Sequence, residues 1–454
     1  MGRNVRTGPD ARHDQLSWAQ TDLYSLLDAE RALAGADVAI YLVHSMLPSG
    51  RLSQGTFRDY DTILADNFAR AAHRRKVKQI IYLGGLIPSD CDKLSPHLES
   101  RLEVEKTLRQ YPTPVTTLRA GLVVGTGGSS FTILMRLITR LPLLICPQWT
   151  QTRCQPIDVQ DVVTCLMYAV DHLADHHRIY DIGGDDTMTY YEMLQTTAAA
   201  KDKIRFFTRV PFLSPGLSKY WVCLITGAPK TLVYPLVQSL RHNMEVDPKR
   251  RLQPPGHHFK SFSQSLQDAI AFRESGESKT TAVTAPKPHA FEMGAKQKAQ
   301  KDVQSVQRLP LPPGKNAQWV AQIYMKWLPK FLPWLIRVKV EGPTCFFHLV
   351  LLPAPLLILR LSEERSSPDR QLFYIKGGML AGIQDRGRLE FREIADRSAI
   401  IAAIHDFRPS LPWFIYRYSQ ALFHLLVMRC FGRYLNRVAR KIGQHKPQQL
   451  APSS

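Results

Sequence analysis

The sequence lacks any pair of cysteines spaced as Cys-x-x-Cys, although it contains seven cysteines. Zinc sites and dithiol redox motifs need such close pairs, so neither is expected. An odd number of cysteines in a chain of 454 residues also argues against a disulfide framework. We therefore predict free thiols, no metal site and a reducing, cytoplasmic compartment.

Long apolar segments are also lacking. Residues 1–15 are polar and do not resemble a signal peptide. The most apolar run, Cys345 to Leu359, contains His348 and two prolines and is too short to span a bilayer. We interpret this run as a buried strand with its neighbours.

Acidic residues are scarce relative to basic ones, 39 against 59, which leaves a formal net charge of +20. This excess favours an anionic partner, such as a nucleotide phosphate or an anionic membrane surface. Basic residues are densest from Arg429 to Lys446, where they alternate with apolar ones. We therefore predict peripheral contact with an anionic membrane at its inner face. Motifs that interleave aromatic and basic residues are absent, so we expect no nucleic-acid binding.

The first half of the chain alternates short apolar runs with amphipathic stretches, which is typical of βαβ units. Continuous apolar runs indicate buried parallel strands. The expected strands are Leu16–Gln20, Asp37–Val43, Gln79–Leu83 and Val115–Val124. The expected helices are Tyr24–Leu33, Tyr60–His73 and Pro96–Tyr111, the last with Ser95 as its N-cap.

The character of the chain changes after residue 274. From Gly276 to Lys315, polar residues, alanine and proline dominate, which predicts a flexible linker over 275–317. We therefore divide the chain into a first domain at 1–274, this linker, a second domain at 318–442 and a disordered tail at 443–454. The second domain is expected to hold strands at Phe331–Val340, Gln371–Ile375 and Arg388–Glu393, then a helix at Trp413–Val438.

Several short motifs of the first domain occur in the order and spacing of one family. They are Tyr41-Leu-Val-His-Ser-Met46, Tyr82-Leu-Gly-Gly-Leu86, His97-Leu-Glu-Ser-Arg-Leu-Glu-Val104, Leu118-Arg-Ala-Gly-Leu-Val-Val-Gly125, Gln155-Pro-Ile157 with Asp161-Val-Val163, and Tyr180-Asp-Ile-Gly-Gly184. Over residues 16–270 the chain resembles the atypical extended short-chain dehydrogenases/reductases, which include NmrA-like proteins and the 39-kDa subunit of respiratory complex I. The resemblance implies an α/β fold with a Rossmann-type, doubly wound parallel sheet that binds a dinucleotide.

The second domain shows a weaker resemblance. It rests on Arg370-Gln-Leu-Phe-Tyr-Ile-Lys-Gly-Gly378, Gly387-Arg-Leu-Glu-Phe-Arg392 and His405-Asp-Phe-Arg-Pro-Ser-Leu-Pro-Trp-Phe-Ile-Tyr416. These segments are similar to a domain of unknown function with a START-like, helix-grip α+β fold. That resemblance implies an apolar, quinone- or lipid-like small molecule between the sheet and the long C-terminal helix, although a plain packing helix is the alternative.

The glycine-rich phosphate loop that opens such folds is absent. Rossmann folds bind pyrophosphate at this turn between the first strand and the first helix. By comparison with the family, the first strand, the first helix and most of the second strand are missing. Either the start codon has been placed too late or the fold is N-terminally truncated. The first is favoured, because losing a central strand leaves buried backbone groups unpaired. We expect NAD(P)(H) as the cofactor of a full-length form.

The standard catalytic residues are also absent. Active members of the superfamily use a Ser or Thr and a Tyr-x-x-x-Lys pair on one helix face. The Ser position falls here at Gly84 or Gly85, and the pair reads His97-x-x-x-Arg101. His97 could act as an acid or base, and Arg101 could hold a ribose or phosphate but not relay a proton. The alternative is a surface histidine beside an arginine that anchors the helix.

The resemblance also implies a set of cofactor contacts. His44 and Ser45 follow a central strand, where Rossmann ligands bind, although a capping role is the alternative. Gly84 and Gly85 are predicted to lie beside the cofactor, as are two further residues. These are Gly121 and Arg119, the latter with a buried structural ion pair as its alternative.

The predicted function follows from these assignments. The chain is expected to be an NAD(P)-binding oxidoreductase-like protein without Ser-Tyr-Lys catalysis, acting as an oxidoreductase or isomerase if it is active. The alternative is a non-enzymatic nucleotide sensor, or a lipid- or quinone-handling assembly factor at the membrane surface.

Overall fold

The computed structural model describes residue 17 and residues 19–45, 52–88, 93–210, 215–227, 230–275, 303–381 and 387–444. The chain divides into two compact units. Unit 1 comprises Met1–Leu47 and Asp61–Ala295, and unit 2 comprises Pro48–Tyr60 and Lys296–Ser454. Each unit has its own sheet.

The strands are β1 (Val38–Tyr41), β2 (Leu52–Gln54), β3 (Gln79–Gly85), β4 (Val115–Ala120), β5 (Val123–Val124), β6 (Leu143–Pro147), β7 (Arg153–Cys154), β8 (Ile157–Asp158), β9 (Arg178–Ile182), β10 (Met188–Thr189), β11 (Phe206–Val210), β12 (Val303–Pro310), β13 (Ile336–Glu341), β14 (Thr344–Leu349), β15 (Pro355–Leu361), β16 (Arg370–Gly377), β17 (Arg388–Glu393) and β18 (Ala399–Phe407). The helices are α1 (Leu26–Ala32), α2 (Phe57–Arg74), α3 (Pro96–Leu108), α4 (Ser129–Arg140), α5 (Val159–Asp171), α6 (Tyr190–Ala200), α7 (Pro215–Thr226), α8 (Lys230–Ser239), α9 (Phe262–Glu274), α10 (Ala317–Phe331), α11 (Trp413–Tyr418) and α12 (Gln420–Gln444).

Unit 1 is built on a parallel sheet with the strand order β1-β3-β4-β9. Each crossover between neighbouring strands contains a helix, and apolar residues of β3, β4 and β9 pack with residues of α5. Parallel strands buried on both faces read as unbroken apolar runs, which is why this sheet was visible in the sequence. The Rossmann-type α/β class predicted for this part of the chain is confirmed.

Local sequence explains where several of these elements begin. Ser95 caps α3 by accepting the backbone N–H of Leu98, with Pro96 at the first position, as predicted. Thr189 and Glu192 form a reciprocal capping box at the start of α6. These caps satisfy backbone donors that a helix leaves open at its first turn.

Unit 2 contains a sheet with the order β13-β14-β15-β16-β17-β18-β12-β2. The pairs are antiparallel, except that β2 lies parallel to β12 with Leu52 opposite Val303. Helices α10 and α12 contribute to a single apolar core with the sheet, in which Tyr324 and Trp327 contact Phe431. The second part of the chain therefore has an antiparallel sheet plus helices, separate from the parallel sheet.

The structure corrects the predicted linker and the strand predicted after it. Residues Val303–Pro310, which we assigned to the linker over 275–317, form β12. Their alternation is hidden because the register shifts between Val303 and Ser305. Phe331 ends α10, and the strand expected at Phe331–Val340 begins only at Ile336.

Two other elements differ from expectation. The helix expected at Trp413–Val438 is interrupted at Ser419, whose φ of −121° and ψ of −81° are not helical. No glycine or proline marks this break, so it could not be predicted from the sequence. The apolar run Cys345 to Leu359 spans two strands, β14 and β15, rather than one.

Some predictions fall on residues outside the described part of the chain. These are residues 276–302 of the linker, residues 445–454 of the tail, and two residues of the strand expected at Leu16–Gln20. In the described part of the chain, no helix combines the length and the apolar character needed to cross a membrane.

Candidate functional site

The candidate site lies where neighbouring parallel strands end. Tyr41 pairs with Tyr82 at the end of β1, and His44 and Gly85 each lie three residues beyond that pair. Gly85 is in turn paired with Ala120 at the end of β4. In open α/β sheets, ligands bind outside this carboxyl edge.

Asp61 of α2 is the centre of a hydrogen-bonded cluster at this edge. Its carboxylate accepts the backbone N–H of Ser45 at 2.6 Å and the Ser100 hydroxyl at 2.9 Å. It also lies 2.8 Å from Nδ1 of His44 and 3.0 Å from a terminal nitrogen of Arg101. Because the Asp61 side chain is fully buried, these donors compensate for the lost hydration of its charge.

The charge of Asp61 is stabilised by its partners. Burial alone would raise the pKa of this carboxyl, but the hydrogen bond with His44, the Arg101 guanidinium and the Ser45 N–H together lower it to about 2. Nδ1 of His44 also lies 2.5 Å from a terminal nitrogen of Arg101, which only donates, whereas the Asp61 carboxylate only accepts, so the two contacts call for opposite protonation of Nδ1. Burial and the nearby Arg101 lower the pKa of His44, which keeps its ring neutral.

His97 is held close to His44 on the first turn of α3. The two ring centroids are 5.2 Å apart. Burial lowers the pKa of His97 to about 3, with further lowering by His44 and Arg101. Its Nδ1 is buried and has no hydrogen-bond partner among the described residues. A general acid or base works best with a pKa near the operating pH, so this environment suits hydrogen bonding by a neutral His97.

Arg101, one turn along α3, is turned toward Asp61 of α2. It is almost completely buried, and its backbone carbonyl accepts the Tyr82 hydroxyl at 3.2 Å. Burial raises the pKa of Tyr82 to about 12, although the charge of Arg101 acts in the opposite direction. The neighbouring Tyr41 phenol also has a pKa well above its usual value because of burial. Both phenols therefore stay protonated near neutral pH.

Arg119 of β4 is engaged elsewhere. Its Nε and a terminal nitrogen each donate to Glu105 of α3 at 2.9 Å, and both side chains are buried. This is the structural ion pair that the sequence left as an alternative. Gly121 comes next but one along the chain, and a Cβ there would lie 3.3 Å from the carbonyl oxygen of Gln155. The backbone around Gly121 is therefore closely packed, and its predicted contact with the cofactor stays a prediction.

The two glycines at the end of β3 differ. A Cβ at Gly84 would approach the Tyr82 ring to 2.9 Å, so a side chain would be crowded there. A Cβ at Gly85 would meet nothing nearer than 3.5 Å, where it would touch Arg101. Of the predicted site residues, the structure brings together His44, Ser45, Gly85, His97 and Arg101, and leaves Arg119 in its own ion pair.

Sequence reasoning missed Asp61 and Ser100. Asp61 lies four residues before Ala65 and seven before Phe68, both of which are buried in the same helix. An acidic residue is unusual on the apolar face of an amphipathic helix, and this feature of the sequence could have identified Asp61 as a site residue. Ser100 offered none, because a serine in a helix is common at the surface.

A second group of family-like motif residues has a structural role. The N–H of Gly184 donates to the Pro156 carbonyl at 3.1 Å, and a Cβ at Gly184 would lie 2.4 Å from that oxygen. Asp161 accepts from Nε2 of His257 and the backbone N–H of Lys260, both at 2.9 Å. These contacts fix the connections around β8 and β9.

No protein-family model matches the chain. It is 32% identical over 105 residues to the auxiliary protein GraX of Staphylococcus aureus, an alignment that covers 23% of this chain and 30% of GraX. The chain therefore spans only about 30% of the length of the curated relative that it matches.

Solved structures of an epimerase and two oxidoreductases are similar over part of the chain. One is a nucleoside-diphosphate-sugar epimerase from Staphylococcus aureus, with 16% identity and a TM-score of 0.47 over 59% of this chain and 88% of that one. Citrobacter triphenylmethane reductase complexed with NADP(H) has 14% identity and a TM-score of 0.42 over 55% and 81%. The NADPH-dependent quinone oxidoreductase QOR2 of Escherichia coli, complexed with NADPH, has 16% identity and a TM-score of 0.43 over 55% and 82%. At this level of likeness, neither substrate nor mechanism transfers to this chain.

Proposed function

We propose that this chain is an NAD(P)(H)-binding, oxidoreductase-like protein of the atypical short-chain dehydrogenase type, without Ser-Tyr-Lys catalysis. The observation that carries the proposal is the convergence of His44, Ser45, Gly85 and His97 at the carboxyl edge of adjacent parallel strands. Ligands of open α/β sheets bind at this edge.

The residues present fit one end of the cofactor. Gly85 presents bare backbone at the carboxyl edge of the sheet, and Nδ1 of His97 has no hydrogen-bond partner among the described residues. None of these residues belongs to a glycine-rich turn that opens a helix, which is the element that binds a pyrophosphate. We therefore propose that these residues hold the nicotinamide riboside end of NAD(P)(H), whose chemistry when bound is hydride transfer.

The electrostatics of the site favour binding over proton transfer. The pKa of His97 is lowered to about 3 and that of Tyr82 is raised to about 12, so neither titrates near neutral pH. Arg101 is tied to Asp61 at 3.0 Å and supports the site by holding α3 to α2. The role of His97 is therefore to orient a ligand through a hydrogen bond rather than to act as an acid or base.

Isothermal titration calorimetry with separate cofactor fragments tests this proposal. We expect NADPH, NADH and reduced nicotinamide mononucleotide to bind with similar affinity, whereas ADP should neither bind nor compete. His97→Gln should weaken the nicotinamide ligands about tenfold, because one hydrogen bond is worth about 1 kcal/mol or slightly more. The exposed His258→Gln serves as the matched control. If nicotinamide ligands do not bind the folded chain, or bind His97→Gln equally well, the proposal is wrong.

The second candidate is a nucleotide sensor without turnover. It is favoured by the same neutral His97 and immobilised Arg101, because they leave no residue suited to proton relay. Binding of NADPH that raises the melting temperature, with no oxidation of NADPH in the presence of a quinone, would favour the sensor. Quinone-dependent oxidation of NADPH would favour the oxidoreductase.

The helix-grip assignment of unit 2 stays a prediction, as does its quinone- or lipid-like ligand. It is supported by the packing of the long helix α12 on the antiparallel sheet. The same core is filled by the rings of Tyr324, Trp327 and Phe431, which supports the plain packing helix equally well.

A further inference from the structure

Helices α11 and α12 of unit 2 carry an unusual combination of exposed side chains. Its first part is apolar and exposed: Phe414 is 73% exposed, Tyr418 60%, Leu422 54% and Leu426 55%. Its second part is basic, with exposed arginines at each helical turn. These are Arg429, Arg433, Arg437 and Arg440. We call these eight residues the docking face.

The spacing within α12 puts its share of the docking face on one side of the helix. From Leu422 to Arg440 the six positions follow one another at intervals of four, three, four, four and three residues. Residues at such intervals share one helix face. The opposite face carries Met428, Phe431 and Leu435, which are buried in the core of unit 2. The docking face is therefore not needed for packing within the unit.

The charge of this face is entirely of one sign. Helix α12 contains five basic residues, Lys441 included, and no aspartate or glutamate. Among the described residues, Arg429, Arg433 and Arg437 form no ion pair. In α11, the Arg417 guanidinium lies over the Tyr418 ring at 5.5 Å, next to the apolar part. The charged side chains of the docking face are therefore all positive.

We propose that the docking face binds the surface of an anionic lipid bilayer. Amphipathic helices bind membranes by burying apolar side chains just below the headgroups while basic residues contact anionic lipids. In the docking face, the aromatic and leucine side chains are the ones that would be buried below the headgroups, and the four arginines would contact the anionic lipids. Binding is peripheral, because no described helix is long and apolar enough to cross the membrane.

Other kinds of partner would interact favourably with only one of the two parts of the docking face. A nucleic acid would pair with the arginines but leave Phe414, Leu422 and Leu426 in water. A second copy of the chain would cover the apolar part but bring like charges together. A bilayer with anionic headgroups is the partner that uses both parts. This inference concerns unit 2 and is independent of nicotinamide binding.

Co-sedimentation of the whole protein with vesicles tests the proposal. We expect binding to vesicles of phosphatidylcholine with 30% phosphatidylglycerol on the order of a hundredfold stronger than to pure phosphatidylcholine, and weaker at 0.5 M salt. Replacing Arg429, Arg433 and Arg437 together by glutamine should lower the partition coefficient roughly 100-fold, at about fivefold for each cation. The matched control replaces three exposed cations of unit 1 by glutamine, Lys203, Arg241 and Lys249, and should bind like the wild type.

A second variant separates insertion from charge attraction. Replacing Phe414, Leu422 and Leu426 by serine should also weaken binding, but it should leave the salt dependence unchanged because no charge is removed. Since these side chains are exposed, both triple variants should keep the wild-type melting temperature. Equal binding of the wild type and the arginine variant overturns the proposal. The proposal is also overturned if the protein binds heparin or DNA through these arginines but does not bind vesicles.

Discussion

A single buried carboxylate, Asp61, organises the candidate site. It joins the end of β1, through His44 and Ser45, to α3, through Ser100 and Arg101. With four polar contacts on one carboxylate, Asp61 is a positioning residue for the side chains around it. The site therefore depends on a residue that would not itself need to touch a ligand.

Asp61→Asn should destabilise the protein strongly. The substitution keeps the shape but removes the charge that compensates the buried Arg101, and breaking a buried ion pair costs about 3–5 kcal/mol. Urea denaturation at pH 7 measures this loss in the free energy of unfolding. The control is Asp37→Asn, whose exposed carboxylate pairs with Lys78 at 3.0 Å and should contribute less than about 1 kcal/mol. Equal effects of the two variants would contradict the central role of Asp61.

At the residue scale, the sequence located part of the site and missed its centre. His44 and Ser45 were identified because they follow a central strand, and His97 because the family resemblance places it at the tyrosine position of the catalytic pair. Asp61 was missed because its partners lie up to 40 positions away along the chain, and sequence patterns report only near neighbours. The pairing of Arg119 with Glu105 was left open for the same reason.

At the scale of elements, capping explains why several helices begin where they do. Ser261 caps α9 through a reciprocal box with Gln264, whose side chain returns to the Ser261 backbone. The sequence indicated the start of α3 by a simpler cap, Ser95 followed by Pro96.

Ser261→Ala should lower the free energy of unfolding by about 1 kcal/mol, because a backbone donor of the first turn loses its acceptor. Ser263→Ala, two residues along the same helix, is the matched control. Ser263 is exposed, and alanine has the higher helix propensity, so this change should be neutral or slightly stabilising. Thermal unfolding of both variants decides the point; a smaller loss for Ser261→Ala than for the control would refute the capping argument.

Elements whose limits depend on distant pairing were harder to predict. The strand Arg388–Glu393 was predicted with its observed bounds, because it is short and clearly alternating. Strand β12 was missed, since its register shift obscures the alternation and its partner, β18, lies about a hundred residues later. Strand β2 belongs to unit 2 although the sequence placed its residues within the first domain. The local amino-acid composition does not indicate a pairing between strands so far apart along the chain.

At the scale of the whole molecule, three histidines in the two units have strongly lowered pKa values. Burial lowers the pKa of His97 and of His405 to about 3, and that of His424 to about 4. Nearby arginines contribute to the first two, Arg101 beside His97 and Arg388 beside His405. At a pH where these three histidines begin to be protonated in the unfolded chain, their rings are therefore still neutral in the folded protein.

The consequence is a loss of stability in mild acid. An unfolded histidine binds a proton as the pH falls through about 6.5, whereas these folded ones do not until about pH 3–4. The unfolded state therefore holds more protons in this window, and the free energy of unfolding must fall as the pH falls. Urea denaturation at pH 7.5, 6 and 5 should show this decline in the free energy of unfolding, with up to about 1.4 kcal/mol per pH unit for each histidine.

His97→Asn and His405→Asn should each make the decline shallower, whatever they cost in stability at pH 7.5. The exposed His258→Asn should leave the slope unchanged, and a slope unaffected by either buried variant would show that other groups cause the decline.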